Sequence, residues 1–212
     1  MDVGVALADA YLCLNGYFTV LEYPPMERTS RFSRIATDID VLAFRFEAAG
    51  YEVFDRSRSI EGPISFRPDP ELGCQEGKGD MIFGEVKQGR GRFNSAARDP
   101  LVVAAALARF GCCPVEHSVG LAARLVKDGR AVGHAGHEIR MVSFAGTASR
   151  GPRWRTITMA HMAGFIRQHF HDHPRLTRSA DFKSPALSFL ALMENSGAWG
   201  PNPKNPGRSG GR

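Results

Sequence analysis

Two segments of this chain have the composition and the alternation of buried β-strands: TDIDVLAFRF at 37–46 and DMIFGEVKQ at 80–88. Asp40 stands near the start of the first segment, and Glu85 and Lys87 stand near the end of the second. Residues two apart on a strand point to the same face of a sheet, so Glu85 and Lys87 share a face. If the strands pair antiparallel, the start of one lies beside the end of the other. The pattern therefore predicts that these three charged side chains converge at one end of a hairpin.

The rest of the chain predicts a mixed α/β domain in which a sheet lies between helices. Periodicity and capping signals place the expected helices at 3–14, 100–111, 159–170 and 184–195, and the other strands at 17–22, 119–126 and 138–145. The proline- and glycine-rich segment 47–79 is expected to leave the sheet as an inserted arm. Residues 196–212 are expected to form a disordered tail, which leaves 1–195 as a single domain.

Composition and charge exclude several classes of protein. Hydrophobic residues make up 43% of the 212 and charged residues 23%, which argues against global disorder, collagen and a coiled coil. Three of the five net positive charges lie in the expected tail, so the rest of the chain carries only +2. No apolar run approaches the roughly 20 residues of a membrane span, and the first residues lack a secretory signal. We therefore expect a cytoplasmic protein with no membrane partner.

Short motifs exclude further activities. The chain contains no GxGxxG, no GxxxxGK[ST] and no GxSxG, so nothing supports a dehydrogenase, a P-loop nucleotidase or a serine hydrolase. The four cysteines include no CxxC pair, which indicates free thiols rather than a disulfide framework.

The predicted charged trio has a chemistry of its own. Two neighbouring carboxylates, Asp40 and Glu85, repel each other unless a cation lies between them. Oxygen ligands with open positions suit Mg²⁺ or Mn²⁺, which can bind a phosphate oxygen and acidify water. The ammonium of Lys87 can orient that water and offset the charge of the transition state. The trio thus suits phosphodiester hydrolysis.

These residues resemble the motif of the PD-(D/E)XK nuclease superfamily. The resemblance covers roughly residues 3–110: a helix, an NGYF turn into a strand, the D-V-L-A and G-E-V-K strands, and a helix behind them. It implies a restriction-endonuclease-like fold, in which a mixed central sheet is flanked by helices. It also implies that Asp40, Glu85 and the main-chain carbonyl of Val86 bind the metal, and that Lys87 is the catalytic lysine.

The chain departs from that pattern in two places. Ile39, rather than a proline, precedes the aspartate, and the 47–79 segment makes the hairpin longer than is usual in the superfamily. Several members also carry an acidic residue on the first helix. Asp9 is the candidate in the body of that helix here, on a face roughly opposite Leu7 and Leu14.

Basic residues near the trio suggest contacts with nucleic acid, with DNA as the expected partner. Gln88, Arg90 and Arg92 follow the G-E-V-K strand directly, and Arg153 and Arg155 lie in a second basic stretch. Guanidinium groups suit backbone phosphates. For the first stretch a solvated polar turn is an equal alternative, and for the second a plain surface loop is the favoured interpretation.

Three hypotheses remain open. The first is a Mg²⁺- or Mn²⁺-dependent nuclease acting on DNA, with a homodimer expected where both strands of a duplex are cut. The second is a catalytically inactive nuclease-like fold that binds nucleic acid or another protein, which the low charge of the body favours. The third is an unrelated α/β protein, in which the charged trio would not converge.

Overall fold

The computed structural model describes residues 2–28, 33–50, 66–148, 153–174 and 182–200. In chain order, the helices and strands of this part of the protein are α1 (Val3–Leu14), β1 (Phe18–Tyr23), β2 (Met26–Arg28), β3 (Ser33–Ile35), β4 (Ile39–Arg45), β5 (Asp80–Arg90), a short 3-10 helix (Ala96–Arg98), α2 (Pro100–Arg109), α3 (Val115–Asp128), β6 (Arg130–Val132), β7 (Glu138–Thr147), β8 (Arg155–Thr158), α4 (Met159–Asp172) and α5 (Pro185–Asn195).

A mixed sheet forms the centre of the protein. Its strands lie in the order β1-β4-β5-β7-β6, and β8 also pairs with β7. Strand β4 is antiparallel to both of its neighbours, β1 and β5, whereas β5 and β7 are parallel and are joined through α2 and α3. Strands β2 and β3 form a separate antiparallel pair. The prediction of a mixed α/β fold with a mixed sheet between helices is confirmed.

Helices cover both faces of this sheet and bury two apolar clusters. Helices α1, α4 and α5 pack on one face, where Tyr11, Ile82 and Phe144 are among the fully buried side chains. Helices α2 and α3 pack on the other face, against Phe83 and Met141. Strand β5 contributes to both clusters because its successive side chains point to opposite faces. It is therefore the central strand of the core.

The strand predicted at 119–126 is wrong, because this segment belongs to helix α3. Four buried residues of α3 recur at helical spacing: Ser118, Leu121, Ala122 and Leu125. Gly129 ends the helix with a φ of 74°, a conformation that favours glycine. The helix signal was present in the sequence, but the β-branched valines at both ends masked it.

The predicted arm and tail are only partly described. Residues 51–65 and 201–212 lie outside the described residues. The second half of the arm, 66–79, packs on the core instead of standing clear of it, since Leu72 is fully buried. Residues 196–200 end against α4, where Arg167 lies 5.3 Å from the ring centre of Trp199.

Two further predictions concern the whole chain. All four cysteines are described and are free thiols. Among the helices described, none combines the length and the apolar character that a bilayer span requires.

Candidate functional site

The predicted trio converges at one end of the β4–β5 hairpin. The two strands pair antiparallel with Val41 opposite Gly84, which brings the start of β4 beside the end of β5. The main-chain N–H of Val86 donates a hydrogen bond of 2.7 Å to Oδ2 of Asp40. The Nζ of Lys87 forms an ion pair with Oε1 of Glu85. The convergence expected from the sequence is therefore confirmed, and the hypothesis of an accidental motif loses its main support.

The trio lies where β5 emerges from the core. The strand is buried from Asp80 to Val86 and becomes exposed after that residue. The Glu85 side chain is 1% exposed, whereas that of Lys87 is 34% exposed, so the ammonium reaches solvent and the carboxylate does not. A carboxylate that is buried where a strand leaves the core needs a partner that compensates for its lost hydration.

Burial dominates the titration of both carboxyl groups. It raises the pKa of Glu85, while the hydrogen bond and charge of Lys87 oppose that rise and the charge of Asp40 adds to it. Burial likewise raises the pKa of Asp40, against the Val86 hydrogen bond and the charge of Lys87. Two buried carboxyl groups whose ionisation is costly, one of them made costlier by the charge of the other, are typical of a cation site.

Asn94 fixes the orientation of the buried glutamate. Its amide Nδ2 donates to Oε1 of Glu85 at 3.0 Å, and its Oδ1 accepts a 2.6 Å hydrogen bond from the main-chain N–H of Ala97. The second bond determines which end of the amide faces the glutamate. Both donors to Glu85, Asn94 and Lys87, thus bind the same oxygen, and Oε2 stays buried with no hydrogen-bond partner among the described residues.

Helix α1 brings Asp2 near the site, and not Asp9, which was the candidate from the sequence. Asp2 caps the N-terminus of α1, accepting from Gly4, and its charge contributes to the raised pKa of Asp40. Asp9 instead accepts a 2.6 Å hydrogen bond from Thr19 on β1, away from the trio.

The donor set fits a divalent cation. Oε2 of Glu85 is an unpartnered, buried carboxylate oxygen, and Oδ1 of Asp40 accepts no hydrogen bond from the described residues. Both are hard oxygen ligands, as Mg²⁺ and Mn²⁺ prefer, and the resemblance implies the carbonyl of Val86 as a further one. Within the described ranges, no group of three or more His, Cys, Asp or Glu side chains is arranged to hold a metal. A cation here would therefore complete its coordination with water or with a substrate oxygen.

Three of the predicted nucleic-acid contacts lie next to the trio. Gln88, Arg90 and Arg92 are all exposed, and Gln88 donates to Oδ2 of Asp2 at 3.2 Å. Neither arginine forms an ion pair with a residue that the structure describes. Arg98, on the short helix that Asn94 caps, adds a third exposed guanidinium to this border of the site.

The other two predicted contacts are not brought to the trio. Arg155 lies on β8, two residues before Ile157, whose side chain is buried on the α1 face of the sheet. Residues two apart on a strand share a face, so Arg155 lies on that face too. Its guanidinium donates to the main-chain oxygen of Glu71 at 2.8 Å, so it ties the 66–79 segment to the sheet. The main chain of Arg153 contacts Gly129 at the end of α3. Both arginines are exposed, but Arg155 points away from the face that carries Glu85.

Sequence reasoning missed three polar residues of this region. Asp2 precedes an apolar helix, which is an N-cap signal, but a cap position does not say which strand end the helix adjoins. Asn94 stands two residues before Ala96, the first residue of the short helix, which is a weak capping signal. Ser143 interrupts the apolar run MVSFA, and β7 places it in register with Glu85. Only the pairing of distant segments makes the last two visible.

Comparison of the chain with protein-family models, with curated proteins and with solved structures returned no match.

Proposed function

We propose that this protein is a divalent-cation-dependent nuclease with a restriction-endonuclease-like fold, of the PD-(D/E)XK type. One observation carries the proposal: a carboxylate buried to 1% exposure, Glu85, keeps one oxygen unpartnered beside Asp40 and holds Lys87 on the other. The succession of α1, β1, β4, β5 and α2 also supports it, since the resemblance implies a helix, three strands and a helix behind them.

Each residue of the trio has a distinct part in hydrolysis of a phosphodiester. Asp40 and Glu85 would hold the cation through the oxygens that accept no hydrogen bond from a described residue, and the carbonyl of Val86 would add the ligand that the resemblance implies. A bound Mg²⁺ or Mn²⁺ would supply Lewis acidity toward a phosphate oxygen. Lys87, anchored on Glu85 but open to solvent, orients the attacking water and offsets the negative charge that grows on the phosphate.

The border of the site favours a polyanionic substrate, and we propose DNA. Arg90, Arg92 and Arg98 are exposed beside the trio, so their guanidinium groups are available to backbone phosphates. Asp2 and Asp38 contribute negative charge on the Asp40 side. A phosphate group would therefore approach from the arginine side.

One observation favours the alternative, an inactive nuclease-like fold that binds nucleic acid or protein. The ion pair between Lys87 and Glu85 satisfies both charges without a cation. A fold that had lost catalysis could keep this pair for stability alone.

The discriminating experiment is cleavage of supercoiled plasmid DNA with Mg²⁺, with Mn²⁺ and with EDTA. We expect cation-dependent cleavage by the wild type and a rate at least about 10²-fold lower for Lys87→Ala. Lys127→Ala, which removes an exposed lysine at the end of α3, is the matched control and should cleave normally.

A protein that retains DNA in a salt-dependent way, without cleavage or any effect of Mg²⁺, would establish the alternative. Linear rather than nicked product would support the predicted homodimer.

A further inference from the structure

A row of polar side chains crosses one face of the sheet at the level of the site. Ser143 on β7 is in register with Glu85 on β5, and Thr156 on β8 is in register with Ser143. The three strands are mutually parallel where they pair, so the three side chains point to the same face. The preceding residues on that face, Phe83 and Met141, belong to the apolar core. The row therefore marks the place where this face changes from core to site.

Ser143, like Glu85, is a buried member of the row, and its hydroxyl is unsatisfied. The residue is 0% exposed, and its Oγ has no hydrogen-bond partner among the described residues. The same holds for Oε2 of Glu85, its neighbour on β5. Leaving a buried polar group unpaired is unfavourable, so two such atoms at one register position require an explanation.

The main chain of Gly91 packs directly on this row. A Cβ at Gly91 would lie 2.7 Å from Cγ2 of Thr156 and 3.0 Å from Oγ of Ser143, too close for a side chain. After Gly91 the chain continues to Asn94, which reaches Glu85. The loop 91–94 thus runs over the row from β8 to β5 and ends beside the glutamate.

We propose that the Ser143 hydroxyl is a positioning group of the same site and holds a water molecule in the hydration shell of the cation bound by Asp40 and Glu85. This inference rests on the proposed function. Mg²⁺ demands near-octahedral coordination and keeps several waters. The two carboxylates and the Val86 carbonyl provide only part of that shell. Hydrogen bonds to the outer shell of a metal typically change its affinity 10–100-fold.

The test combines two measurements on the full-length chain: calorimetric titration with Mn²⁺, and thermal unfolding in EDTA. Ser143→Ala should weaken Mn²⁺ binding about tenfold or more. It should also leave the melting temperature of the metal-free protein unchanged or raise it, because an unpaired buried hydroxyl is removed. Ser118→Ala is the matched control, since Ser118 is also buried but donates a 2.7 Å hydrogen bond to the Val115 carbonyl. It should keep its Mn²⁺ affinity and melt at a lower temperature.

The outcomes separate this inference from the proposed function. Wild-type affinity in Ser143→Ala overturns the inference, and so does a loss of affinity accompanied by a melting temperature several degrees below that of the wild type. If Glu85→Gln abolishes Mn²⁺ binding while Ser143→Ala retains it, only the inference fails. If the wild type binds no Mn²⁺, the proposed metal site fails and the inference falls with it.

Discussion

The buried carboxylate of Glu85 should give the metal-free protein a distinctive pH dependence, which Glu85→Gln should reduce. Burial raises the pKa of Glu85 above its ordinary value of 4.5. The folded protein therefore keeps this proton to a higher pH than the unfolded chain does. The stability that arises from this difference is fully present below pH 4.5 and is lost as the pH rises through the folded pKa.

The magnitude follows from linkage. Within the window between the two pKa values, each pH unit removes about 1.4 kcal/mol of the free energy of unfolding. For a chain of this length, about 1 kcal/mol changes Tm by about 2–4 °C, so Glu85 alone lowers Tm by about 3–6 °C per pH unit. Glutamine has nearly the same size and does not ionise. The Tm of Glu85→Gln minus that of the wild type should therefore increase from pH 4.5 upward and level off above the folded pKa.

The assay is thermal unfolding followed by circular dichroism, in EDTA, at intervals from about pH 4 to pH 8. Taking the difference between variant and wild type cancels the titration of the groups that do not interact with Glu85. Glu116→Gln, in the first turn of α3, reports the effect of neutralising an exposed glutamate. A Tm difference for Glu85→Gln that is independent of pH, or that shrinks as pH rises, would refute the reasoning.

Three further substitutions test other parts of the structure. Asn94→Ala removes both a donor to the buried glutamate and a helix cap, and should destabilise the protein by about 1–3 kcal/mol in urea denaturation; no loss would contradict the assigned bonds. Arg140→Met leaves Asp80, 1% exposed, without the guanidinium that binds both its oxygens at 2.7 Å, and should cost about 3–5 kcal/mol. Combining Arg140→Met with Asp80→Asn should recover part of the lost stability. Gly91→Ala should cost about 1–3 kcal/mol through its clash with Thr156 and should also weaken Mn²⁺ binding in calorimetry; unchanged stability and affinity would show that the loop yields freely.

The strands and the trio were predictable because their signals are local. The alternation in β4 and β5 and the two-residue spacing of Glu85 and Lys87 determine shared faces without reference to the rest of the chain. The start of α2 was equally legible, since Asp99 caps it and Pro100 occupies its first position. Helix α3 was misassigned because its strand-like valines outweighed a helical pattern that the sequence also contains.

The sequence by itself thus determined the period of each main element, the chemistry of its charged residues and the hairpin that brings Asp40 to Glu85. The tertiary structure alone decided which other groups join them. Helix α1 packs with its N-terminus at the site, so Asp2 and not Asp9 lies near Asp40. The parallel pairing of β7 with β5 places Ser143 beside Glu85, although 57 residues separate them in the chain. Local periodicity records the face that a side chain occupies, whereas its neighbours on that face depend on how distant segments pack together.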